Sequence, residues 1–112
     1  MALEIQFVPT SLDEKSSGYL KLQLLAADEK YEFLDEVGLD FDKKGEIKFN
    51  ESQLKMMAKT IRAVGKYIKE VKIESKDKKY KSWEELKSDP EMESVVVEVA
   101  TQYLKGFSAS KN

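Results

Sequence analysis

Residues 40 to 51, DFDKKGEIKFNE, carry acidic side chains at the spacing of a calcium-binding loop. In an EF-hand, oxygen ligands occupy positions 1, 3, 5, 7, 9 and 12, and a glycine at position 6 makes the sharp turn. Asp40, Asp42 and Glu51 match positions 1, 3 and 12, and Gly45 matches position 6. This spacing raises the question of whether the chain binds a metal ion.

Lysines weaken the calcium interpretation of this segment. Lys44 and Lys48 stand where an EF-hand places its fifth and ninth residues, and Lys43 adds a third positive charge. The ammonium groups at the fifth and ninth positions repel a dication, and each of them replaces an oxygen ligand. Gly38 also breaks the preceding helical pattern before the loop begins. We therefore predict a charged turn at Gly45 without a bound metal, and keep a degenerate EF-hand as the alternative.

The residue inventory leaves little for catalysis. The chain has no cysteine and no histidine, which excludes thiol nucleophiles, cysteine-rich zinc sites and imidazole-dependent triads. Adjacent carboxylates such as Glu84 and Glu85 lie at positions expected to be exposed, where no environment distinguishes an acid from a base. The sequence has no glycine-rich phosphate loop. We expect no catalytic residues, no cofactor and no enzymatic activity.

The composition favours one folded domain. The 112 residues are 41% hydrophobic and 36% charged, which suits a single core beneath a heavily charged surface. We predict a globular domain over residues 1–107 and a frayed tail over residues 108–112. The sequence contains neither an export signal nor an apolar run near the ~20 residues of a membrane span. A cytoplasmic protein without membrane contact is expected.

Charge is distributed unevenly along the chain. Residues 1–51 contain 6 lysines and 12 acidic residues, whereas residues 52–112 contain 13 basic and 9 acidic residues. Such an imbalance can orient a partner protein or a second copy of the chain. It can equally be neutralised within one molecule, and both alternatives remain open from the sequence.

Two stretches near the N-terminus alternate apolar and polar residues, which is typical of half-buried strands. The apolar positions are Leu3, Ile5 and Phe7 in the first stretch and Leu20, Leu22 and Leu24 in the second. We predict a β-hairpin with a long mobile loop, a second strand over residues 19–25, and then a helix from Ala27 to Val37 capped by Gly38. A single helix from Tyr19 to Val37 is the alternative.

Residues 51–70 contain the strongest helical pattern, and we predict a single helix over this range. Asn50 is its predicted N-cap, and Gln53 completes a capping box. Apolar residues at three- and four-residue spacing form a stripe that predicts the buried face of a central core helix. The stripe consists of Leu54, Met57, Ala58, Ile61, Val64, Ile68 and Val71.

Two other faces of this predicted helix carry the candidate binding residues. One is a row of cations, and beside it lies a mildly apolar sector that includes Thr60 and Ala63. Together they suit docking of an acidic, amphipathic helix from another protein. The predicted partner-binding residues are Lys55, Met56, Lys59, Arg62, Lys66, Tyr67 and Lys69. The alternative is a solvated cationic face, with Met56 and Tyr67 packed inside the same domain.

The second half of the chain predicts a short hairpin and two capped helices. Val71, Ile73 and Tyr80 indicate the hairpin. Ser82 begins a helix over SWEELK, and Asp89 precedes a last helix that starts at Pro90. We expect the last helix to end at Gly106 and to bury Val95, Val96, Val99, Ala100, Tyr103 and Leu104. The predicted fold class is α+β and mostly helical, with an N-terminal β-hairpin and a second short hairpin.

Nucleic-acid binding is the alternative function. Residues 55–81 contain 10 basic and 3 acidic residues, and Tyr80 and Trp83 alternate with lysines as stacking side chains do in single-strand binders. Lysine rather than arginine supplies nearly all of this charge, and the isoelectric point of the chain is near 5.3. Trp83 also stands just inside a capped helix, where we expect a core residue.

The order of elements over residues 54–107 resembles small bacteriophage tail-assembly proteins, the chaperone-like factors that hold the tape-measure protein. The residues that carry the resemblance are a long helix ending in YIKEVKI, a charged turn, a capped SWEEL segment, the dipeptide DP, and a final helix ending in YLKGF. The resemblance implies a cytoplasmic, non-enzymatic binding protein whose ligand is an apolar or helical segment. It transfers no catalytic residue.

Overall fold

The computed structural model describes residues 3–41, 43–44, 46–49 and 52–106, which adopt an α+β fold. Its strands are β1 (Glu4–Phe7), β2 (Ser16–Gln23), β3 (Leu39–Phe41), β4 (Ile47–Phe49), β5 (Ile68–Ser75) and β6 (Lys78–Tyr80). Its helices are α1 (Ala27–Glu36), α2 (Gln53–Ala63), α3 (Trp83–Lys87) and α4 (Glu93–Lys105), with 3-10 turns at Val64–Tyr67 and Pro90–Met92. The predicted fold class and both predicted hairpins are confirmed. The predicted tail at 108–112 lies outside the described residues.

Four strands form an antiparallel sheet in the order β1-β2-β5-β6. The register places Leu20 opposite Val71 and Tyr19 opposite Lys72. Because successive side chains of a strand point to opposite faces, the sheet has one apolar face and one polar face. The apolar face consists of Ile5, Phe7, Leu20, Leu22, Val71, Ile73 and Tyr80, all buried or packed against the core.

Gly18 explains why β2 begins earlier than predicted. The sequence assigns this glycine to the loop before β2, but the structure places it inside the strand, opposite Ile73. Its φ angle is +129°, and a Cβ atom at this position would lie 1.9 Å from the carbonyl oxygen of Lys72. Only glycine permits such a close approach of two backbones. The strand therefore covers Ser16–Gln23 rather than residues 19–25.

The helices complete one continuous hydrophobic cluster with the apolar face of the sheet. In α4, the five residues Val95, Val96, Val99, Ala100 and Tyr103 are buried, and Leu104 is partly buried. The hydroxyl of Tyr103 donates a hydrogen bond to the Gln23 carbonyl oxygen at 2.9 Å, which links α4 to the end of β2. The predicted buried face of this helix is confirmed, as is its end at Gly106, whose φ angle is +85°.

The loop between β1 and β2 is anchored to α4. The Glu98 carboxylate accepts hydrogen bonds from the backbone and hydroxyl groups of Thr10 and Ser11, at 2.7 to 2.9 Å. Burial disfavours the ionised form of Glu98, but these four bonds outweigh it and lower the pKa of the carboxyl. Pro9 is buried as well. The loop that the sequence predicts to be mobile is held in place by a long-range contact, which local composition does not reveal.

The predicted single helix over residues 51–70 is wrong. Helix α2 ends at Ala63, a 3-10 turn follows, and Ile68 already begins β5. The β-branched residues Ile68, Val71 and Ile73 favour a strand, and pairing with β2 buries Val71 and Ile73 almost completely. Gly65 lies against the Trp83 ring, and a Cβ atom added to Gly65 would lie 3.1 Å from Cδ1 of that ring. Packing of this tryptophan and pairing with β2 therefore end the α-helix at Ala63, well before residue 70.

Candidate functional site

Helix α2 carries most of the predicted binding residues, and its first residue fixes which face each one occupies. The side chain of Ser52 accepts a hydrogen bond from the backbone N–H of Lys55 at 3.2 Å, so Ser52 is the N-cap. The predicted cap, Asn50, lies outside the described residues. Serine and asparagine are nearly equally favoured at the N-cap, and the structure uses the serine.

The buried face of α2 is not the predicted one. Met56, Thr60 and Ala63 are buried where α2 packs against the rest of the core, and α2 contacts α4. Thr60 is fully buried, and its hydroxyl is satisfied there because it donates a hydrogen bond to the Met56 carbonyl oxygen at 2.7 Å. Leu54, which heads the predicted core stripe, is 84% exposed. The helix has apolar residues on two sides, and the tertiary structure buries the side that sequence analysis assigned to a partner.

Met56 is therefore not available for partner binding, since only 8% of its surface is exposed. Tyr67 is half-buried and packs against two other rings, with centroids 5.9 Å from Phe33 and 5.7 Å from Tyr103. Burial raises the pKa of the Tyr67 hydroxyl. These contacts match the alternative in which Met56 and Tyr67 pack inside the domain.

Lys66 is exposed but already has an intramolecular partner. Its Nζ atom lies 2.8 Å from Glu36 Oε1 in the last turn of α1 and 5.4 Å from the centroid of the Tyr67 ring. The hydrogen bond to Glu36 raises the pKa of Lys66. Lys69, the last residue of the predicted row, lies on β5 rather than on a helix. The predicted row of five cations is thus divided among three elements.

Three members of the row remain together on α2: Lys55 and Arg62 are exposed, and Lys59 is half-buried. They lie along one side of an apolar surface on the opposite side of the helix from Met56, part of which, at Ile61, also packs against the core. That surface, which we call the α2 apolar face, consists of Leu54 and the partly exposed residues Met57, Ala58 and Ile61. Three- and four-residue spacing aligns all four on one side of the helix. The combination of cations and apolar surface persists, but with different apolar residues than predicted.

A groove with a volume of about 490 Å³ begins where α2 ends. It runs beside β5 between the 3-10 turn at Val64–Tyr67 and the segment from Lys81 to Glu84. Three predicted binding residues, Arg62, Lys66 and Lys69, line it together with Lys81. Lys81 is distant from the others in sequence, so the helical pattern gave no signal for it; only the folding of β5 and β6 brings it to this groove.

The calcium hypothesis concerns a segment that folds as a hairpin. Strands β3 and β4 pair antiparallel, with Leu39 opposite Phe49 and Phe41 opposite Ile47. Asp42, Gly45 and Glu51 lie outside the described residues. An EF-hand loop continues directly from a helix. Here, strand β3 begins at Leu39 and includes Asp40, the first residue of the proposed loop. In the described part of the chain, no three acidic side chains come close enough to hold a metal ion.

The aromatic residues of the nucleic-acid hypothesis are not available for stacking. Tyr80 is 6% exposed and Trp83 is 5% exposed. The Trp83 indole Nε1 donates a hydrogen bond to the Ile61 carbonyl oxygen at 2.8 Å, and the Tyr80 hydroxyl donates to Asp89. This bond raises the pKa of Tyr80 to about 12 and lowers the pKa of Asp89. Both rings act as core anchors, as expected for Trp83.

The carboxylate pair considered for catalysis has structural roles. Glu85 Oε1 accepts a hydrogen bond from the backbone N–H of Lys81 at 2.6 Å, and its own N–H donates to the Ser82 hydroxyl at 3.1 Å. The Ser82 hydroxyl thus caps α3 as predicted, while the Glu85 carboxylate bonds the N–H of the residue before the cap. Glu84 Oε2 lies 2.8 Å from Lys87 Nζ. Glu85 thus stabilises the start of α3, and Glu84 forms an ion pair on its surface.

Comparisons with protein-family models, curated proteins and solved structures find no match to this chain. The resemblance to phage tail-assembly proteins therefore stays a prediction. Within the described ranges, no helix has the length and apolar character needed to cross a bilayer. Function is therefore inferred from the geometry of α2 and of the adjoining groove.

Proposed function

We propose that this chain is a non-enzymatic protein-binding domain that docks a partner on the α2 apolar face. The observation that carries the proposal is the exposure of Leu54, which leaves 84% of a large apolar side chain in water. Single exposed leucines are common on protein surfaces. Here, however, Met57, Ala58 and Ile61 extend the apolar surface along the same side of the helix.

The cations beside this face specify the chemistry of the partner. Lys55 and Arg62 are exposed on one side of the apolar residues. An amphipathic helix with an apolar stripe and acidic residues along one border complements such a surface. The apolar contact would supply most of the affinity, while the charges would set orientation and association rate. An assembly chaperone that shields a helical segment of its client, as the resemblance implies, is one form of this function.

The proposal is tested by comparing the proteins retained by wild-type and variant baits. Leu54→Asp places a charge at the most exposed residue of the apolar face, and we expect it to abolish retention of the partner found with wild type. Lys55→Glu combined with Arg62→Glu should weaken the same association about tenfold, as expected for rim charges. Leu54 is the second residue of α2, where an acidic side chain suits the helix dipole. We therefore expect Leu54→Asp to fold as wild type does.

Val8→Asp is the matched control, because Val8 is also a large exposed apolar residue, at 59%, and lies on a different part of the molecule. It should retain the partner fully. If Leu54→Asp and Val8→Asp baits retain the same proteins as wild type, the α2 apolar face is not a docking site. Retention of nucleic acid instead of protein, lost as salt rises, would favour the alternative function.

A further inference from the structure

The groove at the end of α2 has an uncompensated positive charge. Of the two glutamates that line it, Glu70 lies 3.6 Å from Lys21 and Glu84 lies 2.8 Å from Lys87. Neither of those lysines lines the groove. The acids of the groove are thus neutralised from outside it, which leaves its own cations in excess.

Those cations are Arg62, Lys69 and Lys81, and we call the site they line the basic groove. All three are exposed, and none forms an ion pair with another of the described residues. A concave surface of one charge concentrates the electrostatic field and attracts an oppositely charged partner. The basic groove is therefore suited to carboxylates.

Helix α1 presents the complementary charge. Its side toward the core carries Phe33 and Leu34, and its opposite side carries Asp28, Glu32 and Asp35 at four- and three-residue spacing. These three acids are exposed, and no ion pair joins them to any described residue. Like charges at this spacing destabilise a helix. Cations placed against this acidic face of α1 would relieve that repulsion.

The basic groove and the acidic face of α1 are neighbours on the surface. Lys66 lines the groove, and its Nζ atom is bonded to Glu36, which follows Asp35 in the last turn of α1. Glu36–Lys66 thus joins an acid of residues 1–51 to a cation of residues 52–112 at the border of the two surfaces.

We propose that the basic groove binds the acidic face of α1 from a second copy of this chain. Because the two surfaces are adjacent, a two-fold axis between them lets each copy donate its α1 and receive that of its partner. Every dimer then contains the same contact twice. The contact is mainly electrostatic, so we infer a weak dimer that dissociates in salt. This surface shares only Arg62 with the border of the α2 apolar face, and its test uses Lys69 and Lys81 instead, so it does not depend on the function proposed for that face.

An acidic strand of nucleic acid is a poorer occupant for the groove. Stacking on aromatic rings supplies much of the affinity for single strands, and Trp83, the aromatic residue that lines this groove, is 5% exposed. Every copy of the chain carries both the acidic face of α1 and the basic groove. The concentration of this ligand therefore always equals the concentration of the groove.

Charge reversal on the two surfaces tests the proposal. Mass is measured by sedimentation velocity for wild type, for a groove variant (Lys69→Glu, Lys81→Glu) and for a helix variant (Glu32→Lys, Asp35→Lys). We expect wild type to dimerise at about 0.01 M ionic strength and to be monomeric at about 1 M, since the Debye length falls from roughly 30 Å to roughly 3 Å. Each variant alone should be monomeric at both.

A mixture of the groove variant and the helix variant should restore the dimer at low salt, because both contacts then pair opposite charges again. The variant that combines all four substitutions should also dimerise. As a matched control, Lys15→Glu with Lys105→Glu changes the net charge equally at residues that do not line the groove, and it should leave dimerisation intact. Melting curves recorded beside these measurements separate loss of association from loss of folding.

The proposal is overturned if wild type stays monomeric at low salt, or if the dimer survives both charge reversals. It is also overturned if the folded variants fail to associate when mixed. Tight binding of an oligonucleotide to the wild-type groove without dimerisation would assign the groove to nucleic acid instead. Leu54→Asp should leave dimerisation unchanged, so this inference and the proposed function can fail independently.

Discussion

Helices α2 and α4 both carry apolar residues at three- and four-residue spacing, yet the spacing identifies the buried face only in α4. In α4, the apolar residues lie on one side, and that side is buried as the spacing predicts. In α2, apolar residues lie on two opposite sides, one headed by Leu54 and the other by Met56. The structure buries the side of Met56 and leaves Leu54 in water.

The difference shows that periodicity identifies a buried face only when the helix has a single apolar face. The stripe through Leu54 continues in register into Ile68 and Val71, which made it the longer pattern. That continuation belongs to β5, so the length of the stripe did not reflect one helix. The exposed apolar face of α2 is the feature that the proposed function explains.

The largest expected effect is in α4. Tyr103 is 2% exposed, its hydroxyl is bonded to the Gln23 carbonyl, and its ring lies against Phe33 and Tyr67. Tyr103→Ala removes a buried ring and should lower the free energy of unfolding by about 4 kcal/mol, as for other aromatic truncations. Urea denaturation measures this. A loss below about 1 kcal/mol would mean that α4 is not packed as the comparison requires.

The next effect compares the two faces of α2 directly. Met56→Ala should lower the free energy of unfolding by about 2 to 3 kcal/mol, because it leaves a cavity beside Thr60. Leu54→Ala should change it by less than about 0.5 kcal/mol, since the side chain is already in water. Equal losses in denaturation curves, or a larger loss for Leu54→Ala, would restore the face that the sequence predicts.

A smaller effect concerns the polar side of α4. Glu98→Gln removes the charge that accepts four hydrogen bonds and should cost about 1 kcal/mol at pH 7. The pKa of Glu98 is lowered in the folded state, so its contribution is present above the unfolded value of about 4.3 and disappears as pH falls through the folded value. Wild type and variant should therefore have equal stability near pH 2. A difference that persists in acid would indicate a packing effect instead.

The smallest effect is at the end of α2. Lys66→Met removes the exposed ion pair with Glu36 and should cost less than about 0.5 kcal/mol, an amount further reduced in high salt. The pKa of Lys66 is raised, so this contribution is fully present at neutral pH and is lost only as pH rises through that value. Lys69→Met, at an exposed cation without a described ion pair, is the control. Thermal melts at two salt concentrations distinguish them.

Local signals predicted most of the elements. Gly38 caps α1, Ser82 with Glu85 caps α3, and Asp89 accepts a hydrogen bond from the Glu91 N–H at the turn before α4. Each of these depends on contacts within a few residues, so the sequence contains the necessary information. The anchoring of the β1–β2 loop by Glu98 and the placement of Gly18 inside β2 involve residues far apart in the chain, and no local pattern indicates them.

The candidate site divides in the same way. The cations Lys55 and Arg62 were identified from helical spacing, and their exposure is as expected. Met56 and Tyr67, the apolar residues assigned to the site, pack inside the domain, and Lys81 joins Arg62 and Lys69 in one groove through the β5–β6 hairpin.

From its sequence alone, the chain specified an α+β domain, the N-cap of α3, the ends of α1 and α4, the buried face of α4 and the uneven distribution of charge. The tertiary structure decided which apolar side of α2 enters the core, where that helix ends and which cations meet in one groove. The reason is that helix capping, and the burial of a helix with a single apolar face, depend on interactions between residues that are close in the sequence. The choice between two similar apolar faces depends on what packs against them, here α4 and the paired strands β2 and β5.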